Sequence, residues 1–330
     1  MRLKLFLTVV LALALAIPAM AEPIVIKFSH VVAVDTPKGQ AAEYFKKLAE
    51  ERTKGAVKVE VYPNSQLYKD KEEVEALQLG SVHMLAPSLA KFGPLGVKEF
   101  ELFDLPFIFD GYEDLHKITE GPVGKKLFAK LETKGIKGLG YWDNGFKVMS
   151  ANTDIRNPAA VKGLKLRIQS SKILDAQMRA LGAIPQVMAF SEVYQALQTG
   201  VVDGTENPPS NLYTQKMFEV QKFVPVTNHG YLGYAVIVNK KFWESLPADL
   251  RTTLEQCMDE STKYANDIAK KKNDEDLAAV KASGKSQVID LTPAEKAAWK
   301  AALLPVHDEM ASRIGKDLIQ EVYAATGFKK

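Results

Sequence analysis

The chain has a single cysteine, Cys257, in 330 residues. No intramolecular disulfide can brace it, and its fold must rest on core packing. An excess of charge of either sign is also missing: 43 basic side chains face 40 acidic ones, for a formal net charge of +3. A surface so close to neutral argues against nucleic acid as a partner. The patterns G-x-S-x-G, H-E-x-x-H, G-x-x-x-x-G-K-[ST] and C-x-x-C do not occur, which removes the signatures of serine hydrolases, zinc proteases, P-loop nucleotide binding and dithiol redox chemistry. The five histidines (30, 83, 116, 229 and 307) are scattered, with no pair at ligand spacing. Neither a metal site, a cofactor nor an enzymatic activity is expected. Beyond residue 17 no apolar run is long enough to cross a bilayer.

What is present begins with Met1-Arg2-Leu3-Lys4, an apolar run from Leu5 to Ile17 and the small-residue site Ala19-Met20-Ala21. Residues 1–21 read as a cleaved secretory signal peptide, with the mature chain starting at Glu22 and exported to the periplasm. Removing Arg2 and Lys4 lowers the formal charge from +3 to about +1. The remaining ~310 residues exceed what one core usually serves, so two lobes are expected.

Ile24–Phe28 reads as a strand, 37–53 as a helix opened by Pro37, Ala56–Tyr62 as an alternating strand, 71–79 as a helix and Val82–Ala86 as a strand. That alternation predicts a parallel α/β sheet, with ligands gathering beyond the carboxyl ends of its strands. A second α/β unit follows from about Phe146: strands at 146–151, 164–168 and 184–187, helices at 172–181 and 190–198. The chain is expected to cross between lobes at Gly140–Gly145 and back at Asn228–Gly233, where glycines can absorb a hinge rotation. From Pro247 to about Ala282 a helical pattern predicts one element about 50 Å long that spans both lobes. Cys257 falls on its buried face. Thr292-Pro293-Ala294-Glu295 forms a capping box for a further helix. The expected fold class is therefore α/β, a two-lobed clamshell: residues 22–143 with about 232–270 in lobe I, and 144–231 with about 271–330 in lobe II.

The segment Leu164–Pro209 carries the strongest functional signal. Arg167 stands in an otherwise apolar strand pattern, where a charge is costly to bury without a partner. Local sequence leaves two readings open, an internal bridge to Glu192 or Asp203 and a grip on a ligand anion.

Phe28-Ser29-His30, Tyr62–Tyr68, Gln78-Leu79-Gly80, Met84–Ser88, Asp104–Phe107, Trp142–Phe146, Lys162–Arg167, Gln195–Gly204 and Glu206-Asn207-Pro208 follow one another in an order that resembles the solute-binding proteins of tripartite ATP-independent periplasmic (TRAP) transporters. The similarity extends over nearly the whole mature chain and is strongest to the C4-dicarboxylate, DctP-type members. It implies the two-lobed periplasmic binding protein fold and a receptor for a small organic acid that hands its ligand to membrane permease subunits. A monomer is expected.

Arg167 matches the family's carboxylate-binding arginine, whose planar fork suits two parallel hydrogen bonds. Asn207 matches a ligand-facing asparagine, held extended by Pro208. Lys38, at a helix start, and Ser88, at a strand end, are the lobe I candidates for a distal carboxylate. Asn144 and Phe146 match positions that line the cleft, with Trp142 and Asp143 supporting them. His30 and His229 are further distal donors that would couple affinity to pH. Met188 and Phe190 read as core or as an apolar wall against the ligand's methylenes.

Overall fold

The computed structural model describes residues 22–330, and the proposed signal peptide lies outside them. Eleven strands run among these residues: β1 (Ile24–Ser29), β2 (Val57–Tyr62), β3 (Met84–Leu85), β4 (Ile136–Phe146), β5 (Val148–Ala151), β6 (Lys165–Ile168), β7 (Ile184–Val187), β8 (Gly204–Asn207), β9 (Phe223–Pro225), β10 (Tyr231–Asn239) and β11 (Gln287–Ile289). They form two sheets, ordered β2-β1-β3-β10-β4 and β11-β9-β5-β8-β6-β7. In the first, β1 is parallel to β2 and β3, while β10 is antiparallel to β3 and β4. In the second, β6 is parallel to both β7 and β8, and β5 is antiparallel to β8. The short strand–helix–strand spacing of the sequence produces these parallel pairs because the intervening helices pack back onto the sheet.

The chain passes between sheets at Lys147, the one residue separating β4 from β5, and returns through residues 226–230 between β9 and β10. The two crossings touch: Lys147 N donates to the Gly230 carbonyl at 2.8 Å. This moves the first crossing beyond the expected Gly140–Gly145 segment, which lies inside β4. Those glycines have another task. A Cβ on Gly140 would stand 2.4 Å from Thr262 Oγ1, and one on Gly145 would stand 2.8 Å from Asn273 Nδ2. Both contacts come from the long helix Ala248–Ser283, so the missing side chains let helix and strand approach closely.

That helix has 36 residues, about 54 Å at 1.5 Å per residue. Its Leu254, Cys257, Met258 and Ala265 enter the core under the first sheet, together with Phe28, Phe45 and Trp142. Val280, near its other end, packs with Val148, Val193 and Val224 of the second lobe. Asn273, between them, donates to the Asn144 carbonyl at 2.7 Å and accepts from Ser210 N at 2.9 Å. The capping box at Thr292–Glu295 forms as the sequence predicts. The chain end departs from expectation: instead of staying with lobe II, the last helix, Lys316–Thr326, sets Ile319 and Val322 into one cluster with Leu115 and Ile118 of the first lobe. Its apolar stripe required a partner but did not say which.

No helix among the described residues is long and apolar enough to cross a membrane. Leu254 is fully buried at the junction of helix and sheet. Leu254→Ala should cost about 2–5 kcal/mol of stability, read from the urea midpoint with an unchanged denaturant slope.

Candidate functional site

A narrow cavity lies between the lobes. The first lobe supplies Val31 and Val32 after β1, Lys38, Asp70, Glu73, Ser88, Lys91, and Leu232 and Tyr234 on β10. Arg167 and Gln169 at the end of β6, Phe190, Asn207 at the end of β8, and Asn211 close it from the second. Of the residues singled out from sequence, Arg167, Asn207, Lys38, Ser88 and Phe190 are brought together here.

Arg167 projects from β6, where the parallel neighbours β7 and β8 leave its side chain 2% exposed. Its Nε and Nη2 donate to the Met188 carbonyl at 3.1 and 2.8 Å. Neither of the acids considered from sequence pairs with it. Glu192 is taken by Lys69 at 2.7 Å, and the Asp203 carboxylate accepts from Lys165 N at 2.7 Å. The acid that faces Arg167 is Asp70 of the other lobe, at 3.9 Å, too far for a hydrogen bond.

Asp70 itself is held by Lys91 Nζ at 2.6 Å and by Phe190 N at 3.1 Å. Burial alone would raise its pKa, but Lys91 and Arg167 outweigh it and bring the carboxyl below its usual range. With Lys69–Glu192, the bond from Phe190 N joins the lobes across the cavity mouth.

Lys38 is the second residue of the helix Pro37–Arg52, whose Thr36 cap accepts from Gly39 N at 3.1 Å. The side chain runs inward and is 1% exposed. Its Nζ donates to the Ala86 carbonyl at 2.9 Å and sits 3.7 Å from the centre of the Tyr234 ring, a cation over an aromatic face. Asn207 Nδ2 donates to Thr205 Oγ1 at 3.3 Å, and its Oδ1 accepts from Asn211 at 3.5 Å.

Asn144, Phe146, His30, His229 and Met188 do not line the cavity: for the first four this departs from the expected cleft-lining or ligand-donating roles, and for Met188 it agrees with the core alternative. Asn144 spends its amide on Tyr234 Oη at 2.7 Å and its carbonyl on Ser210 Oγ at 2.7 Å, so it positions a lining ring. Phe146 is edge-on to Tyr112 and Tyr231. Met188 contributes its backbone carbonyl to Arg167, while its side chain packs into the second-lobe core. His229 is fully buried and occupied on both nitrogens, by Thr227 Oγ1 and Glu206 Oε2 at 2.8 Å each. His30 is fully buried behind the rim with neither ring nitrogen hydrogen-bonded. Burial first, then Lys38, pushes its pKa down to about 3. Trp142 lies in the core under the first sheet, and Asp143 accepts from Tyr231 Oη at 2.6 Å.

Sequence reasoning missed Asp70, Glu73, Lys91, Gln169, Asn211 and Tyr234. Lys69-Asp70-Lys71-Glu72-Glu73 reads as a solvated charged run, and only the fold turns two of its acids inward. β10 is apolar along almost its whole length, so no alternation marked Tyr234.

Residues 28–314 match the family model of the bacterial extracellular solute-binding proteins, family 7. The chain belongs to that family. It is 69% identical over 316 residues, 96% of this chain and 95% of the relative, to the C4-dicarboxylate-binding periplasmic protein DctP of Rhodobacter capsulatus. Among solved structures it resembles a TRAP periplasmic solute binding protein from Shewanella oneidensis with bound succinate, at TM-score 0.90 and 45% identity, covering 92% of this chain and 99% of the other. A second, from Pseudomonas aeruginosa with bound L-malate, gives TM-score 0.85 and 45% identity over 87% and 100% of the two chains. The likeness covers both sheets and fixes the fold as the two-lobed form of this family.

In this member the crossings carry a buried ionic group. Glu206, on β8, binds Lys147 Nζ at 2.9 Å and His229 Nε2 at 2.8 Å, and all three are at most 3% exposed. His229 is held below its usual pKa by burial. A neutral ring donating from Nε2 and accepting at Nδ1 fits both of its bonds. Burial by itself would raise the Glu206 pKa, but Lys147 and His229 bring it down from 4.5 to about 2. A depressed carboxyl contributes stability above its unfolded value and loses it as pH falls through the folded one. Stability should therefore drop by about 3 kcal/mol between the ordinary carboxylate range and pH ~2. Glu206→Gln should cost about 3–5 kcal/mol near neutrality by stranding Lys147 and should flatten that acid limb. Urea unfolding across the acid range measures both.

Proposed function

We propose that this chain is the extracytoplasmic receptor of a TRAP transporter, which captures a C4-dicarboxylate such as succinate, fumarate or malate between its lobes and delivers it to the membrane permease. The observation that carries the reading is Arg167: a guanidinium buried in a strand, braced on a carbonyl and facing a cavity, with its nearest acid, Asp70, 3.9 Å away and hydrogen-bonded elsewhere. A buried cation of that kind favours an anion that completes its charge. The 69% identity to a C4-dicarboxylate-binding relative supports the choice of ligand.

In this reading Arg167 takes one carboxylate in two parallel bonds and Asn207 adds a donor. Lys38 and Ser88, from the other lobe, receive the second carboxylate. Phe190, Leu232 and Val32 cover the methylenes. Because the two ends of the ligand are held by different lobes, binding favours the closed arrangement, and the rim contacts at Asp70 and Lys69 form with it. The protein works in the periplasm as a monomer, with no cofactor.

The same scaffold accommodates other acids: a sugar acid binding protein from Advenella mimigardefordensis in complex with galactonate is 30% identical with TM-score 0.90. The higher identity to C4-dicarboxylate-binding relatives favours a C4 acid for this chain. Calorimetric titration of ligand-free protein should give 1:1 binding of succinate, fumarate and malate, and weak or no binding of galactonate and pyruvate. Arg167→Met should lose about 2–5 kcal/mol of binding energy, and Arg167→Lys should retain part of it. Binding of galactonate alone would replace the ligand. Undiminished binding in Arg167→Met would remove the arginine from the site.

A further inference from the structure

Glu73 is a cavity carboxylate with no hydrogen bond and no close ion pair among the described residues. It opens the helix Glu73–Gln78 and lines the cavity at 1% exposure. Neither of its carboxyl oxygens has a hydrogen-bond partner. The charged and titratable groups facing it come from every element around that space: Lys38 from the helix Pro37–Arg52, Asp70 from the preceding loop, Lys91 from the turn after β3, Arg167 from β6 and Tyr234 from β10. His30, buried beside Lys38, is neutral.

Lys91 already answers Asp70 at 2.6 Å. On the C4-dicarboxylate reading, Arg167 and Lys38 answer the two ends of the ligand. Three cations then face two protein carboxylates and a dianion, one negative charge too many for a closed space. The excess falls on Glu73, whose carboxylate has neither ion partner nor hydrogen bond, the costliest condition for a buried charge.

We propose that Glu73 takes up a proton as the dicarboxylate binds, so that the receptor captures each dianion together with one proton and presents a neutral carboxyl whose O–H donates to the ligand. This rests on the ligand reading above. Burial supports it by raising the Glu73 pKa against the opposing pull of Lys38, while lowering that of Lys38. Proton uptake on binding makes affinity fall as pH rises.

The test is calorimetry of ligand-free protein with succinate at about pH 8, in phosphate and in Tris, whose ionisation enthalpies differ. The apparent enthalpies should differ by the heat of about one buffer proton per ligand, and affinity should fall up to about tenfold per pH unit. Glu73→Gln should bind with neither effect. In the wild type, succinate should induce a carboxylic-acid C=O infrared band that does not move when the succinate carboxyls are isotopically labelled.

Buffer-independent heats in the wild type would overturn the proposal. Uptake that persists in Glu73→Gln would move the proton to Lys38, and a label-shifted band would move it to the ligand, either of which also overturns it. The infrared arm decides the matter on the wild type if the variant does not fold. Failure of the wild type to bind any C4-dicarboxylate would instead sink the receptor reading itself.

Discussion

The guanidinium of Arg167 is the constraint around which the rest of this structure is arranged. A charge with 2% exposure on a central strand must be stabilised, yet its bonds go to one carbonyl and its nearest acid stands 3.9 Å away. Held this way it is fixed in direction and incompletely neutralised. In the proposed function an anion in the site completes the electrostatics, so that a group costing stability when empty contributes affinity. The acid that stands opposite, Asp70, belongs to the other lobe, so this charge also faces the opposite side of the cavity.

The architecture around that charge is fastened where the chain crosses between the sheets. One residue, Lys147, divides the two sheets on the outward pass, and its backbone bond to Gly230 fastens the two crossings side by side. Glu206 and His229 bury their polar groups against it in a dry network whose members satisfy one another, the condition under which buried charge is tolerated. Behind the crossings the helix Ala248–Ser283 runs from one core to the other, and Asn273 binds strand, helix and second lobe together. The glycines of β4 serve this close approach, and they would be misread as hinges by anyone who weighed only their flexibility.

The candidate site was legible in part. Arg167 stood out as a charge in an apolar strand pattern, but its ligand role, like that of Asn207, was legible only through the family resemblance. Lys38 and Ser88 could be placed because helix starts and strand ends of an α/β sheet share one rim. The two histidines were misplaced for an equally physical reason: position at the rim says nothing about which way a ring turns. His229 turns to Glu206 and Thr227, and His30 turns into the protein. Asp70 and Glu73 were invisible because a charged run looks solvated until a second lobe covers it, and Lys91 because a lone lysine does not show which way it turns.

The sequence by itself determined the secondary elements, their alternation into two α/β lobes, the bridging helix and the motif order that marks the family. These depend on periodicity, capping and turn chemistry, all of which act over a few residues. Only the tertiary structure decided the composition of the cavity, the point where the chain crosses between sheets, and the return of the last helix to the first lobe. Each of those is a contact between segments distant in the chain. Lys38 and Tyr234, or Asp70 and Arg167, acquire their relation only when the lobes come together, because burial and charge pairing belong to the space they share.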